Sequence, residues 1–192
     1  MGARKLLIVD LEATCWERAV HDAELMETIE IGALCIDPDA PRAWREFQTF
    51  VRPVRTPQLS EFCSKLTTIV QGEVDAADPF PAAFARFTAW IGEPGAVRFA
   101  SWGSYDRMQF QRDCAFHGVA YPFAADHLNL KQHCSAALRL RPAGMAQALA
   151  KAGLELEGTH HRALDDARNI ARIAEHVSHG DWGSLVEAPA QR

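Results

Sequence analysis

Asp10 and Glu12 stand two residues apart at the end of the apolar run Leu6-Leu7-Ile8-Val9. In a strand, a period of two puts both carboxylates on one face with Cα atoms roughly 6 to 7 Å apart. Two anions so placed repel each other unless a cation sits between them. The alternative is that the strand stops at Asp10 and both acids face water. A third acid is carried inward by a helix. Counting four, seven and eleven from Asp166 gives Ile170, Ile173 and Val177, whereas the same count from Asp165 gives Asn169, Arg172 and His176. Asp166 is therefore expected on the buried stripe and Asp165 on the wet one. A buried carboxylate is costly unless it coordinates a metal or pairs with a basic side chain, and both solutions remain open at this point.

Asp106 follows the strand-like segment Val97 to Trp102 and falls in the first turn of the next helix. Taken singly, it is better explained as a charge favoured at a helix N-terminus, by about 0.3 to 1 kcal/mol. Only the company of the other acids makes it a ligand. His161 stands five residues before Asp166 at the mouth of the last helix, with Gly158 upstream expected to leave the loop mobile. Its near-neutral pKa suits it to take a proton from a water, while the neighbouring His160 is expected to be an ordinary surface residue. Asp10, Glu12, Asp106 and Asp166 with His161 describe a site for two divalent ions about 3.5 to 4 Å apart, which hydrolyses phosphodiesters. Oxygen ligands of this kind favour Mg²⁺ or Mn²⁺.

The elements that must position these groups follow from the hydrophobic pattern. Lys5 to Val9, Thr28 to Ile36 and Arg45 to Val54 read as three strands, with a hairpin-type turn near Asp37 to Pro41 that makes them an antiparallel meander. After a polar stretch from Pro57, helices are expected over Phe80 to Ile91, Tyr105 to Phe116, Asn129 to Leu138, Met145 to Ala152 and Arg162 to Val177, with Val97 to Trp102 as a further strand. That order predicts an α/β fold, a mixed sheet covered by helices on both faces. With 192 residues and 48% apolar content, the chain suits a single domain over 1–180, and 181–192 is expected to be a frayed C-terminal tail. No apolar stretch is long enough for a membrane helix, and five scattered cysteines without a CxxC pair suggest reduced thiols in a cytoplasmic protein. A net charge of −5 argues against nucleic acid held by a broad basic surface, but not against an enzyme that needs only a short terminus.

Three motifs carry a closer resemblance: Asp10-Leu11-Glu12-Ala13-Thr14-Cys15-Trp16, Trp102-Gly103-Ser104-Tyr105-Asp106, and His161-Arg162-Ala163-Leu164-Asp165-Asp166-Ala167-Arg168-Asn169-Ile170-Ala171. In this order and separation they resemble the DEDDh 3′-to-5′ exonucleases, which have a ribonuclease H-like fold. Together with Phe62-Cys63-Ser64-Lys65-Leu66-Thr67, they are most similar to the histone-mRNA and RNA-interference-regulating subgroup and its stand-alone bacterial relatives. The resemblance implies metal binding by Asp10, Glu12, Asp106 and Asp166, with His161 as general base. It implies hydrolysis of single-stranded nucleic acid from the 3′ end to 5′-mononucleotides, with RNA favoured over DNA. It also implies that Ala13 and Thr14 accept the terminal nucleotide and that the segment Leu66 to Ile69 flanks its base. This chain carries Thr68 where many relatives have glycine.

Trp16, Phe62 and Trp102 are candidate stacking platforms for bases, with core packing as the alternative for each. Lys65, Lys131 and Arg162 are candidate phosphate contacts. Two other functional readings compete: a catalytically silent module that binds RNA or protein, and a zinc hydrolase built from His127, His133, Cys134 and His160, whose spacing fits no common zinc pattern. The oligomeric state is left open by the sequence.

Overall fold

The computed structural model describes residues 4–17, 25–124 and 126–188. The first apolar run forms β1 (Lys5–Ala13), followed by β2 (Thr28–Ile36) and β3 (Arg45–Phe50). The three form the expected antiparallel meander, with Glu12 opposite Glu30 and Glu30 opposite Phe50. On the other edge of β1, β4 (Val97–Ser101) and the short β5 (Leu128–Asn129) add in parallel, giving the order β3-β2-β1-β4-β5. Around this sheet lie α1 (Glu61–Thr67), α2 (Gln71–Asp75), α3 (Phe80–Ile91), α4 (Tyr105–His117), α5 (Leu130–Ala137), α6 (Met145–Ala152), α7 (Ala163–Ser178) and α8 (Trp182–Glu187). No helix among the described residues is long and apolar enough to cross a membrane.

The period of two in β1 decides which helices lie on which face. Leu7, Val9 and Leu11 pack with Phe80, Phe84 and Phe87 of α3 and with Phe110 of α4. Leu6 and Ile8 point the other way, into a core shared with Ile170 and Ile173 of α7 and Ala148 and Leu149 of α6. Both faces are thus covered by helices, as the α/β expectation required. Asp10 and Glu12 continue the Leu6 and Ile8 row, so they face α7.

Several expectations are corrected. β1 does not end at Val9 but runs to Ala13, so both acids belong to the strand and the alternative in which it stops at Asp10 fails. β3 ends at Phe50 rather than Val54. The stretch after Pro57 is not a plain loop: Ser60 caps α1 by accepting the Cys63 N–H at 2.9 Å, and Cys63, Ile69 and Val74 build a small core with Ile29 and Leu59. Helices of one or two turns leave too little periodicity to be read from sequence. The expected tail from 181 also fails over its described part. Trp182 and Leu185 are buried, and Trp182 meets Trp44 edge-on at 5.9 Å, because α8 closes the α7 side of the core.

Candidate active site

The last register pair between β1 and β4 is Ile8 with Ala100, so β1 projects beyond its neighbour and carries Asp10 and Glu12 to the carboxyl end of the parallel strands. That end is where open α/β sheets place ligands. Across β1, Asp10 lies opposite Gly32. A Cβ at Gly32 would fall 2.1 Å from the Ala163 carbonyl carbon and 2.2 Å from the Leu164 nitrogen. The missing side chain therefore lets the N-terminus of α7 rest directly on β2, and its first turn holds Asp166 over the two strand acids. Oxygens of Asp10, Glu12 and Asp166 lie within 4.8 Å of one another. Asp106, in the first turn of α4, is buried and accepts the Leu11 N–H at 3.1 Å, which fastens α4 to β1 between the two acids. All four line one cleft of about 370 Å³.

Burial and mutual repulsion set the electrostatics. Withdrawal from water pushes Glu12 up to about 9, with Asp166, Glu30 and Asp106 adding to the effect. Burial, followed by repulsion from Asp106, Glu12 and Asp166, raises Asp10 well above the usual carboxylate range. Asp106 is pushed up to about 7 by burial, against the opposing pull of hydrogen bonds from its own backbone, from Leu11 and from Ser101. Asp166 is also raised by burial, moderated by His160 and the His161 N–H. Carboxylates that resist ionising together are the donor set expected for hard divalent cations, whose charge removes the repulsion.

The histidine loop is pinned rather than mobile. Gly158 has φ of +75°, and a Cβ there would lie 2.4 Å from the Asp165 carboxyl carbon, so glycine serves close packing. Asp165 accepts the Thr159 N–H at 2.9 Å, and the buried Asn169 side chain both donates to the Glu157 carbonyl (2.8 Å) and accepts its N–H (3.1 Å). Asn169 is therefore not on a wet face. His161 has φ of +62° and gives its N–H to Asp166 Oδ2 at 3.0 Å. Its ring stacks on that of His160 at 3.9 Å. Burial, then the adjacent His160, lowers its pKa, which favours the neutral ring a base needs. His160 is no ordinary surface residue, since its Nδ1 lies 3.0 Å from Asp166 Oδ2 and it lines the same cleft.

Among the candidate substrate contacts, Trp102 lines the cleft and is oriented by donating Nε1–H to the Ala143 carbonyl at 3.1 Å. Phe62 and Leu66 are exposed on α1, and Trp16 is half-buried. Ile69 is wholly buried with Ile29 and Val74, which removes it from any ligand. Ala13 and Thr14 are also buried, and the Thr14 hydroxyl accepts the Glu27 N–H at 3.0 Å, so its side chain serves the fold. Lys65 pairs with Glu61, and Arg162 with Glu30 at 3.2 Å. The zinc reading fails. His127 bonds Ser101 at 2.9 Å, Cys134 lies in the core, and neither joins a group of converging metal ligands among the described residues.

Sequence reasoning missed Glu30 and Tyr105. Glu30 is fully buried opposite Glu12 and accepts the Ala163 N–H at 3.1 Å, which caps α7. An acid inside an otherwise apolar strand was the available signal. Tyr105 lines the cleft beside Trp102.

A family model described as exonuclease matches residues 7–174. Human ERI1 exoribonuclease 2 is 30% identical over 88% of this chain, and rat 3'-5' exoribonuclease 1 is 33% identical over 88%. The chain spans only 28% and 51% of the lengths of those two relatives. The nuclease domain of 3'hExo, a DEDDh family member solved bound to rAMP, superimposes with a TM-score of 0.83 at 29% identity, covering 99% of this chain and 96% of that one. With a mixed sheet that gathers its acids at one strand end, and these relatives in common, the chain belongs to the exonuclease family, on its DEDDh branch.

Proposed function

We propose that this chain removes 5′-mononucleotides from the 3′ end of single-stranded nucleic acid, with RNA favoured over DNA. The observation that carries this reading is the convergence of Asp10, Glu12 and Asp166 with His161 at one strand end. The exoribonuclease names of the relatives and the rAMP bound to the 3'hExo domain support the choice of RNA. Asp10, Glu12 and Asp166, completed by Asp106, would hold two divalent ions, Mg²⁺ or Mn²⁺. When bound, such ions supply activation of a water and neutralisation of charge at the departing oxygen.

The chain's own residues do the rest. His161, held by its N–H to Asp166 and by stacking on His160, takes a proton from the attacking water. Water oxygen bonds to phosphorus and the bond from phosphorus to the 3′ oxygen breaks. The nucleotide leaves with a 5′-phosphate, and the freed 3′ oxygen takes a proton from solvent to become the 3′-hydroxyl of the shortened strand. Trp102 and Tyr105 wall the cleft that receives the terminal nucleotide. All five cysteines are free thiols, which supports a reducing compartment, proposed here as the cytosol.

Asp166→Asn keeps the shape but loses a charge, and its activity on 5′-labelled RNA with Mg²⁺ or Mn²⁺ should fall by more than about a hundredfold. Wild-type activity in that variant would overturn the reading. Matched RNA and DNA oligomers, with free and blocked 3′ ends, test the substrate preference and the polarity.

A further inference from the structure

A second cleft of about 370 Å³ adjoins the catalytic one and shares its Trp102 and Tyr105 wall. Its other side includes Ser104, Asn129, Lys131 and Gln132. The charge balance of the two clefts is opposite. Four carboxylates line the first, whereas no Asp or Glu among the described residues lines the second, and Lys131 supplies a cation. The lysine's position is built into the fold. Gly103, at φ of +107°, would place a Cβ 3.8 Å from the Lys131 Cδ, so the aliphatic stem lies alongside the backbone just before α4. On the other side, Asn129 caps α5 by accepting the Gln132 N–H at 3.1 Å, fixing the turn from which Lys131 projects.

A strand with one nucleotide at the metal-binding acids must carry its remaining phosphates across a protein of net charge −5. Those phosphates are driven toward a contiguous surface that offers a cation, hydrogen-bond donors and a stacking wall without carboxylates. Lys65 and Arg162, the other basic candidates near the motifs, are already paired with Glu61 and Glu30. We propose, building on the exonuclease reading above, that the second cleft is the track for the nucleotide 5′ to the scissile bond, with Lys131 contacting its phosphate and Trp102 dividing the two positions.

The test compares two substrates: a single-stranded oligonucleotide, and the p-nitrophenyl ester of a nucleoside 5′-phosphate, whose leaving group brings no phosphate for Lys131 to contact. Lys131→Ala should raise KM for the oligonucleotide by about five- to tenfold, leave its kcat near wild type and lower the salt dependence of binding by roughly 0.7 in log–log slope. Ester hydrolysis should be unaffected, and Lys151→Ala, which removes an exposed charge on α6, should change neither. An unchanged oligonucleotide KM, or equal losses on both substrates, overturns the track while leaving the exonuclease reading intact. If wild type cleaves neither substrate, the exonuclease reading fails. Anisotropy of the labelled oligonucleotide on wild type and Lys131→Ala then still decides the track, and equal affinities sink it.

Discussion

Glu30 lies directly opposite Glu12, yet its oxygens are taken up by Arg162, Gln48 and the Ala163 N–H. It is at once a source of the repulsion that raises Glu12 and the cap that fixes the start of α7. Glu30→Ala would relieve some of that repulsion but leave the Ala163 N–H and the Arg162 guanidinium without their partner. Leaving those partners unsatisfied costs about 1 to 3 kcal/mol, the loss expected from urea denaturation. Activity should drop as well, because Asp166 and His161 hang from the same helix end. A variant as stable as wild type would show that Glu30 does not anchor α7. His161 illustrates the same dependence, since at its φ of +62° the N–H is shared between Asp166 Oδ2 and His160 Nδ1, each at 3.0 Å. His161 and Asp166 are one mechanical unit.

At the scale of elements, the approach of α7 to β2 decides the site. Gly32→Ala places a methyl group 2.1 Å from backbone rather than from a flexible side chain, so α7 must shift. Overpacking of this kind costs about 1 to 3 kcal/mol or more. The expected result is a lower melting temperature together with weakened divalent-cation binding by calorimetry. Wild-type cation affinity would show that α7 tolerates displacement. A helix terminus on the far side of the site predicts the opposite sign. Thr68 ends α1 at φ of +61°, a left-handed conformation that costs a β-branched residue about 1 to 2 kcal/mol and glycine little. No side-chain hydrogen bond of Thr68 offsets this among the described contacts. Thr68→Gly should therefore stabilise the protein by about 1 kcal/mol in chemical denaturation, and a loss of stability would show that the threonine side chain is needed there.

For the whole molecule, the acid cluster couples folding to both pH and cations. Glu12, Asp106, Asp10 and Asp166 all have folded pKa values above their unfolded ones, with Glu12 at about 9 and Asp106 at about 7. Their contribution to the stability of the cation-free protein is complete below the unfolded carboxylate pKa. It is lost as pH rises through the folded values, because the native state then holds protons that the unfolded chain has released. Divalent cations replace those protons, so their stabilising effect should be small near about pH 5 and grow toward about pH 8. Thermal unfolding with Mg²⁺ or with EDTA across that range measures it. A cation-induced shift independent of pH would mean that the ion binds away from these acids.

The sequence by itself determined the meander, the α7 stripe that carries Asp166 inward and the pairing of Asp10 with Glu12, because strand and helix periods are local and were long enough to count. The motif spacing also singled out His161 and Asp106. Only the tertiary structure decided what surrounds them. Gly32 matters because a helix remote in sequence rests on it, and Glu30 because it meets that helix end. In the sequence His160 resembles a surface residue and Gly158 a source of mobility, yet both are fixed by contacts with α7. Ile69 and Thr14 lay within plausible binding motifs and proved to be interior. Periodicity reports which way a side chain points within its own element, whereas contact between elements depends on how closely their backbones can approach, and that distance is set only when the chain is folded.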